Sequence, residues 1–123
     1  MHIAYLVTTI LFAAMVVFSG LGKIRRDPRQ VKSIHEVVGV PLQYFPLLAG
    51  CEFAGGLGLI VGIWWPAVGV AAGNGLVIYF VGAVVSHFRV GDIKGIGPAA
   101  FMMVLAAGAL VLRVLTHSLE ALS

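Results

Sequence analysis

Four long apolar segments constrain the fold of this chain more than any other feature of its sequence. They cover residues 3–22, 46–64, 66–86 and 98–115, and each has about the length that an α-helix needs to cross a bilayer. Only 11% of the 123 residues are charged and 60% are hydrophobic, whereas a soluble domain carries roughly 25% charged residues. The sequence therefore predicts one all-α integral membrane domain over residues 1–123, a four-transmembrane-helix bundle in contact with the lipid bilayer.

The segment between the first two spans has a helical pattern of its own. Asp27 can cap a helix, Pro28 suits its first turn and Gly39 can end it. The apolar residues in between recur at intervals of three and four, which places them on one face: Val31, Ile34 and Val38. We predict a short amphipathic interfacial helix over residues 28–38, between helices 1 and 2 and on the membrane surface.

The basic residues lie mostly at one end of the predicted bundle. Seven of the eight Lys and Arg residues fall in loops 23–44 and 87–97, which follow the first and third spans and so share a side. Cytoplasmic loops are enriched in Lys and Arg, so we predict that both loops are cytoplasmic and that both termini lie outside. Arg113, near the end of the fourth span, is expected to extend its side chain to the lipid headgroups.

Glu52 interrupts the second apolar segment. A charge near the bilayer centre costs roughly 2.5–3.5 kcal/mol on insertion scales, and such residues usually face a protein interior or a water-filled cavity. Glu52 follows Pro46 by six residues, about 9 Å along the helix axis, in the half of the membrane next to the basic loops. Two interpretations stay open: an internal ion pair that fixes helix register, and a functional polar pocket.

Other polar side chains converge on this membrane face. The candidates for ligand binding or an internal ion pair are Glu52, Lys23, His87, Arg89, Asp92, Tyr79 and Asn74. Asn74 and His87 point about 140° apart around their helix, so Asn74 is interpreted as an interhelical hydrogen-bonding group, with ligand contact as the alternative. Gly55 and Gly56 share the face of Glu52, which leaves room for a neighbouring backbone, water or a ligand head.

Several kinds of site are not expected. The sequence has no convincing metal spacing, nucleophile motif or phosphate-binding loop, so no metal site or catalytic set is predicted. The single cysteine, Cys51, excludes an internal disulfide and is expected to be a small buried residue. The basic residues suit membrane loops rather than nucleic acid.

Two glycine strips, Gly58/Gly62 and Gly69/Gly73, suit close helix packing and offer a route to a homo-oligomer.

Five segments in their order resemble a known family. They are SGLGKI at 19–24, VGVP at 38–41, LAGCEFAGGLGL at 48–59, AVVSHFRVGD at 83–92 and PA at 98–99. Together they resemble the DoxX-like family of small four-span membrane proteins, over about residues 11–115. The resemblance implies a four-helix bundle in the bacterial cytoplasmic (inner) membrane. It also implies that Lys23, Glu52, His87, Arg89 and Asp92 belong to the family pattern.

The resemblance leaves the function open, because the family includes a subunit of a thiosulfate:quinone oxidoreductase and relatives linked to oxidative-stress complexes and receptor assembly. Our leading hypothesis is a cytosol-facing polar pocket around Glu52, with Lys23, His87 and Arg89 beside it. It would bind an amphipathic molecule of quinone or lipid type, or support a membrane redox complex. No cofactor motif is evident, and quinone is the cofactor that this hypothesis allows. We expect an accessory or binding protein rather than an enzyme.

Two alternatives come from other functional classes. A proton-coupled small-molecule exporter would depend on Glu52, as small four-span transporters depend on a membrane-embedded glutamate. The strong basic asymmetry argues against the dual insertion that such transporters often use. A non-catalytic membrane assembly or docking factor would instead use the basic surface of residues 28–38.

Overall fold

The fold is a bundle of long helices, seen in a computed structural model that describes residues 2–122 and side chains through residue 118. Met1 and Ser123, the ends of the predicted domain 1–123, lie outside the described residues. The helices are α1 (His2–Ile24), α2 (Pro28–Gln30, continued by a π-helix over Val31–Val38), α3 (Phe45–Val61), α4 (Pro66–Arg89) and α5 (Ile93–Leu122). A 3-10 turn, Leu42–Tyr44, leads into α3.

The four long helices close a ring around an apolar core. Helix α1 packs against α3 and α5, and α4 packs against the same two helices. Across the ring, Phe12 and Phe80 meet with ring centroids 6.2 Å apart. The buried core residues around them come from all four helices: Ala13, Val16, Leu59, Leu76, Ala106 and Ala109. All four helices are long and apolar enough to cross a membrane, so the predicted four-helix membrane fold is confirmed.

The outer surface of the bundle is apolar along its length and differs at its two ends. Ile3, Phe18 and Ile78 are among the large hydrophobic side chains that are exposed, as lipid-facing residues of a membrane bundle are. Trp64 and Trp65 are exposed at the α3–α4 turn, where indole rings suit the headgroup level. The basic loops lie at the other end, so the bundle presents an aromatic end and a basic end.

Helix α2 forms where the sequence pattern predicts it. The Asp27 carboxylate accepts a hydrogen bond from the backbone N–H of Arg29 at 2.9 Å, and Gly39 ends the helix with a left-handed φ of 94°. A side chain at Gly39 would be strained in that conformation, so glycine suits this end of the helix.

The glycine strips Gly58/Gly62 and Gly69/Gly73 pack helices of this chain together. The backbones of Gly62 and Gly69 are so close that a Cβ on Gly62 would collide with Gly69. A Cβ on Gly58 would meet Ala72, and one on Gly73 would meet Leu110. These glycines therefore allow close packing between α3, α4 and α5 within the chain.

The connection from α4 to α5 is much shorter than the predicted loop 87–97. Helix α4 continues to Arg89, and α5 begins at Ile93 rather than at residue 98. The reason is a cap, because the Asp92 carboxylate accepts a hydrogen bond from the backbone N–H of Gly95 at 3.2 Å. Pro98 lies inside α5, where it is exposed near the helix start.

Replacing Gly62 by alanine tests the close contact between α3 and α4. Because the added methyl group would meet backbone, we expect Gly62→Ala to lower the free energy of unfolding by about 1–3 kcal/mol, the usual cost of overpacking. Gly75→Ala is the matched control, since Gly75 is exposed and a Cβ there has open space. Unfolding by SDS titration in mixed micelles measures both variants, and equal stability of the two would contradict the packing.

Candidate functional site

A buried ion pair joins α1 to α3 near the basic end. The Lys23 Nζ lies 2.6 Å from the Glu52 Oε1, and Glu52 is fully buried. Lys23 reaches it because α1 extends two residues beyond the predicted span and keeps Lys23 on the buried face that also carries Val16 and Gly20. The carboxylate that looks unpaired in the sequence therefore has a cationic partner inside the bundle.

The ammonium group of Lys23 has two further partners. It donates to the Ser19 hydroxyl at 2.9 Å and to the side-chain oxygen of Gln30 at 2.9 Å. The Gln30 amide in turn donates to the backbone carbonyl of Ser19 at 3.0 Å. Ser19 and Gln30 thus accept two of the three donors that an ammonium carries, beside the Glu52 carboxylate, and these contacts tie the start of α2 to α1.

Tyr79 of α4 interacts with the same carboxylate. Its side chain lies close enough to Glu52 to interact with it electrostatically. Neither Glu52 oxygen has a regular hydrogen bond within the described part of the chain. We therefore describe the contacts with Lys23 and Tyr79 chiefly as electrostatic attraction between groups on three helices.

The glycines beside Glu52 serve helix packing. A Cβ on Gly55 would collide with the side chain of Leu76, and one on Gly56 with that of Val17. Part of the space that the sequence suggested for water or a ligand head is thus taken by Leu76 of α4 and Val17 of α1.

His87 and Asp92 form a second polar pair at the basic end. The His87 Nδ1 lies 2.8 Å from the Asp92 Oδ2, and His87 is buried. Asp92 is held in place because it also caps α5. A carboxylate facing Nδ1 favours the tautomer with its proton on that nitrogen, which leaves Nε2 available to a ligand.

A cavity of about 260 Å³, which we call the side cavity, lies between α2, α3 and α4. Its walls include Ile34, Val38, Leu48 and Gly82, with Tyr79, Ser86 and His87 as polar groups. An outer recess of about 420 Å³ adjoins it and is lined by Gly39, Tyr44 and Arg89 among others; Val38 and Val40 border both spaces. Tyr79 thus lines the side cavity and also contacts Glu52.

Three sequence-based expectations about polar or reactive side chains are corrected. Asn74 is exposed on α4 and its amide donates to the carbonyl of Val70 in the same helix at 2.9 Å, so it neither joins two helices nor faces the side cavity. Cys51 is exposed rather than buried. Arg89 is exposed and lines the outer recess, so it is not placed beside Glu52 as the pocket hypothesis had it.

The prediction that the Arg113 side chain extends to the lipid headgroups is wrong. It is buried, with its guanidinium donating to the Tyr5 hydroxyl at 3.0 Å and to the Gly62 carbonyl at 3.1 Å. The guanidinium carbon also lies 4.4 Å from the centre of the Tyr5 ring. Because α3 ends at Val61, carbonyl groups of the α3–α4 turn need donors, and a guanidinium supplies several in a fixed fork. Arg113 therefore packs inward and does not extend to the headgroups.

A family model described as the DoxX-like family matches residues 7–109 of the chain. The chain belongs to the DoxX-like family. The match runs from α1 into α5 and includes Lys23, Glu52, Tyr79, His87 and Asp92. Searches of curated proteins and of solved structures found no match.

Sequence reasoning about this DoxX-like chain missed two of the partners of Lys23. Ser19 had a usable signal, because it precedes Lys23 by four residues and so lies on the same helix face. Gln30 had none, since its contact depends on how the loop after α1 folds back. Tyr5 had a weak signal: it lies near the start of the first span, at the same end of the bundle as Arg113.

A double-mutant cycle on this DoxX-like chain tests the ion pair. Removing one partner of a buried pair typically costs 3–5 kcal/mol, because the other charge is left uncompensated. We expect Lys23→Met and Glu52→Gln each to lower the free energy of unfolding by about that amount, and the double variant to be more stable than the sum of the two losses predicts.

Reversible unfolding in SDS-containing micelles gives the four free energies. Lys32→Met is the matched control, since Lys32 is an exposed lysine on α2 and its loss should change stability little. Strictly additive losses for Lys23 and Glu52 would contradict a direct interaction between them.

Proposed function

We propose that the side cavity binds an amphipathic small molecule of quinone or lipid type. Its polar head would lie between Tyr79 and His87, and its tail would follow the apolar walls toward the outer recess. The observation that carries the proposal is the position of Tyr79, which lines a mostly apolar cavity and lies next to the buried Glu52. Small-molecule sites typically combine mostly apolar walls with a few convergent polar groups.

The polar groups of the side cavity favour a head that donates hydrogen bonds. The Lys23 ammonium lies 2.6 Å from the Glu52 carboxyl group, and the Tyr79 side chain lies near the same group. With its hydroxyl proton turned toward Glu52, Tyr79 would present its phenol oxygen to the ligand as an acceptor. In the tautomer in which His87 donates to Asp92 through Nδ1, its Nε2 is a further acceptor. A hydroquinone or a hydroxyl-bearing lipid head matches two acceptors better than a head that carries only carbonyl groups.

The shape of the space supports a molecule with a tail. The side cavity of about 260 Å³ and the adjoining recess of about 420 Å³ together fall in the range usual for ligand pockets. Ile34 and Val38 of α2 form one wall, so this helix covers the site. Arg89 at the recess adds a cation that a phosphate-bearing head would contact.

The contacts of Glu52 favour this proposal over proton-coupled export. An exporter needs a carboxyl group that exchanges its proton with each side in turn. Glu52 is fully buried and held by Lys23 at 2.6 Å, which suits a fixed electrostatic role.

We further propose that the basic end faces the cytoplasm of a bacterial cell, so that the side cavity opens toward the cytosol. Seven of the eight basic residues belong to the segments at this end. The eighth, Arg113, is buried inside the bundle, so it is not counted as a loop residue when the positive-inside rule is applied. The positive-inside rule then points in a single direction.

Cysteine labelling tests this orientation. In a Cys51→Ser background, Trp65→Cys should react with a membrane-impermeant maleimide in intact spheroplasts, whereas Lys32→Cys should react only after the membrane is opened. Both positions are exposed, so each serves as a control for the other. Labelling of position 32 in intact spheroplasts would contradict the orientation.

Filling the side cavity tests the binding proposal. Gly82 lines it and a Cβ there has open space, so Gly82→Leu should leave the fold intact while its side chain occupies the site. We expect this variant to lose at least about tenfold in affinity for a short-chain hydroquinone or a monoacylglycerol, measured by thermal shift in detergent. An overfilled site rejects its former occupant because packed groups tolerate little extra volume.

Gly75→Leu is the matched control, because Gly75 also lies on α4 with open space but outside the side cavity. It should bind the probes as the wild type does. A methyl-ether analogue of the hydroquinone, which lacks the O–H donors, should bind more weakly to the wild type. Equal affinity of Gly82→Leu and wild type would overturn the assignment of the site.

A further inference from the structure

A second groove lies on a different flank of the bundle, between α1, the start of α2 and α5. Its volume is about 640 Å³. Met15, Phe18 and Met102 form its apolar walls, and its polar lining residues are Ser19, Asp27, Arg29 and Gln30. It shares no lining residue with the side cavity, so it is a separate feature, which we call the α1–α5 groove.

The segment that forms the rim of the α1–α5 groove, residues 23–36, carries more basic than acidic side chains. Lys23 is paired with Glu52, but the other four basic side chains of the segment are exposed: Arg25, Arg26, Arg29 and Lys32. Two acidic side chains lie in the same segment. Asp27 lines the groove and is engaged as the cap of α2, and Glu36 is exposed nine residues after Asp27. The exposed charge of the segment therefore remains positive.

We propose that the α1–α5 groove binds an anionic phospholipid. An acyl chain would lie along Met15, Phe18 and Met102, and the phosphate would lie at Arg29. The groove faces the same surroundings as the exposed Phe18 ring, so lipid chains reach it directly from the bilayer. Apolar walls alone suit any lipid; the basic rim selects a headgroup with net negative charge.

The proposed lipid site adjoins the ion pair. Gln30 borders the groove and accepts a hydrogen bond from Lys23. The start of α2 therefore links the α1–α5 groove to the Lys23–Glu52 contact through one side chain.

A tryptophan at position 18 reports on the groove. The native Trp64 and Trp65 lie at the other end of the bundle, so Phe18→Trp is made together with Trp64→Phe and Trp65→Phe. Phe18 is 76% exposed, so the exchange should not disturb packing. In vesicles of mixed lipid, brominated phosphatidylglycerol should quench this fluorophore more than brominated phosphatidylcholine at the same mole fraction. Equal quenching by the two lipids would overturn the proposal.

Two charge-removing variants separate a specific site from general attraction to an anionic surface. Arg29→Gln should weaken the preference for phosphatidylglycerol about fivefold, the contribution typical of one basic residue near such a surface. Lys32→Gln, which removes the same charge three residues further along α2 and outside the lining of the groove, should change it clearly less. Equal effects of the two variants would show diffuse attraction only and would refute a site in the groove.

Discussion

The buried contact between Lys23 and Glu52 is the interaction on which the basic end of the bundle depends. Taking two charges out of water costs several kcal/mol per ion unless their geometry and remaining hydrogen bonds compensate. Here Ser19 and Gln30 accept hydrogen bonds from the Lys23 ammonium, and Tyr79 lies near the Glu52 carboxylate. These requirements fix the last turn of α1, the start of α2 and the rotation of α4 relative to α3.

Each end of the bundle contains a buried cation, and the two cations have different partners. At the aromatic end, Arg113 joins α5 to Tyr5 of α1 and to the α3–α4 turn, and its contacts described above are those of a structural clamp. At the basic end, the buried Lys23 contacts the Glu52 carboxylate. Tyr79 lies next to this carboxylate and also lines the side cavity. Only the second arrangement brings a buried charge into contact with a group that lines a cavity beneath a surface helix. The proposed binding function rests on that difference.

The sequence predicts the number of helices well because each apolar run has the length of a bilayer, and it predicts α2 because Asp27 and Gly39 are specific end signals. It predicts helix rotation poorly. A helix that is apolar on all sides carries little periodicity, so nothing distinguishes the outward face of Asn74 and Cys51 from the inward face of Tyr79. Arg113 was misplaced for a related reason, since its acceptors are backbone carbonyls created by the end of α3.

The central claim is that the Lys23–Glu52 pair fixes Tyr79 at the end of an occupied side cavity. A structure of the protein determined with the lipid extracted from its own membrane tests this most directly. The account predicts elongated density whose polar end lies between Tyr79 and His87, with Lys23 still on Glu52. A side cavity closed by Ile34 and Val38 with no density inside, or a Glu52 carboxylate turned away from Lys23, would contradict it.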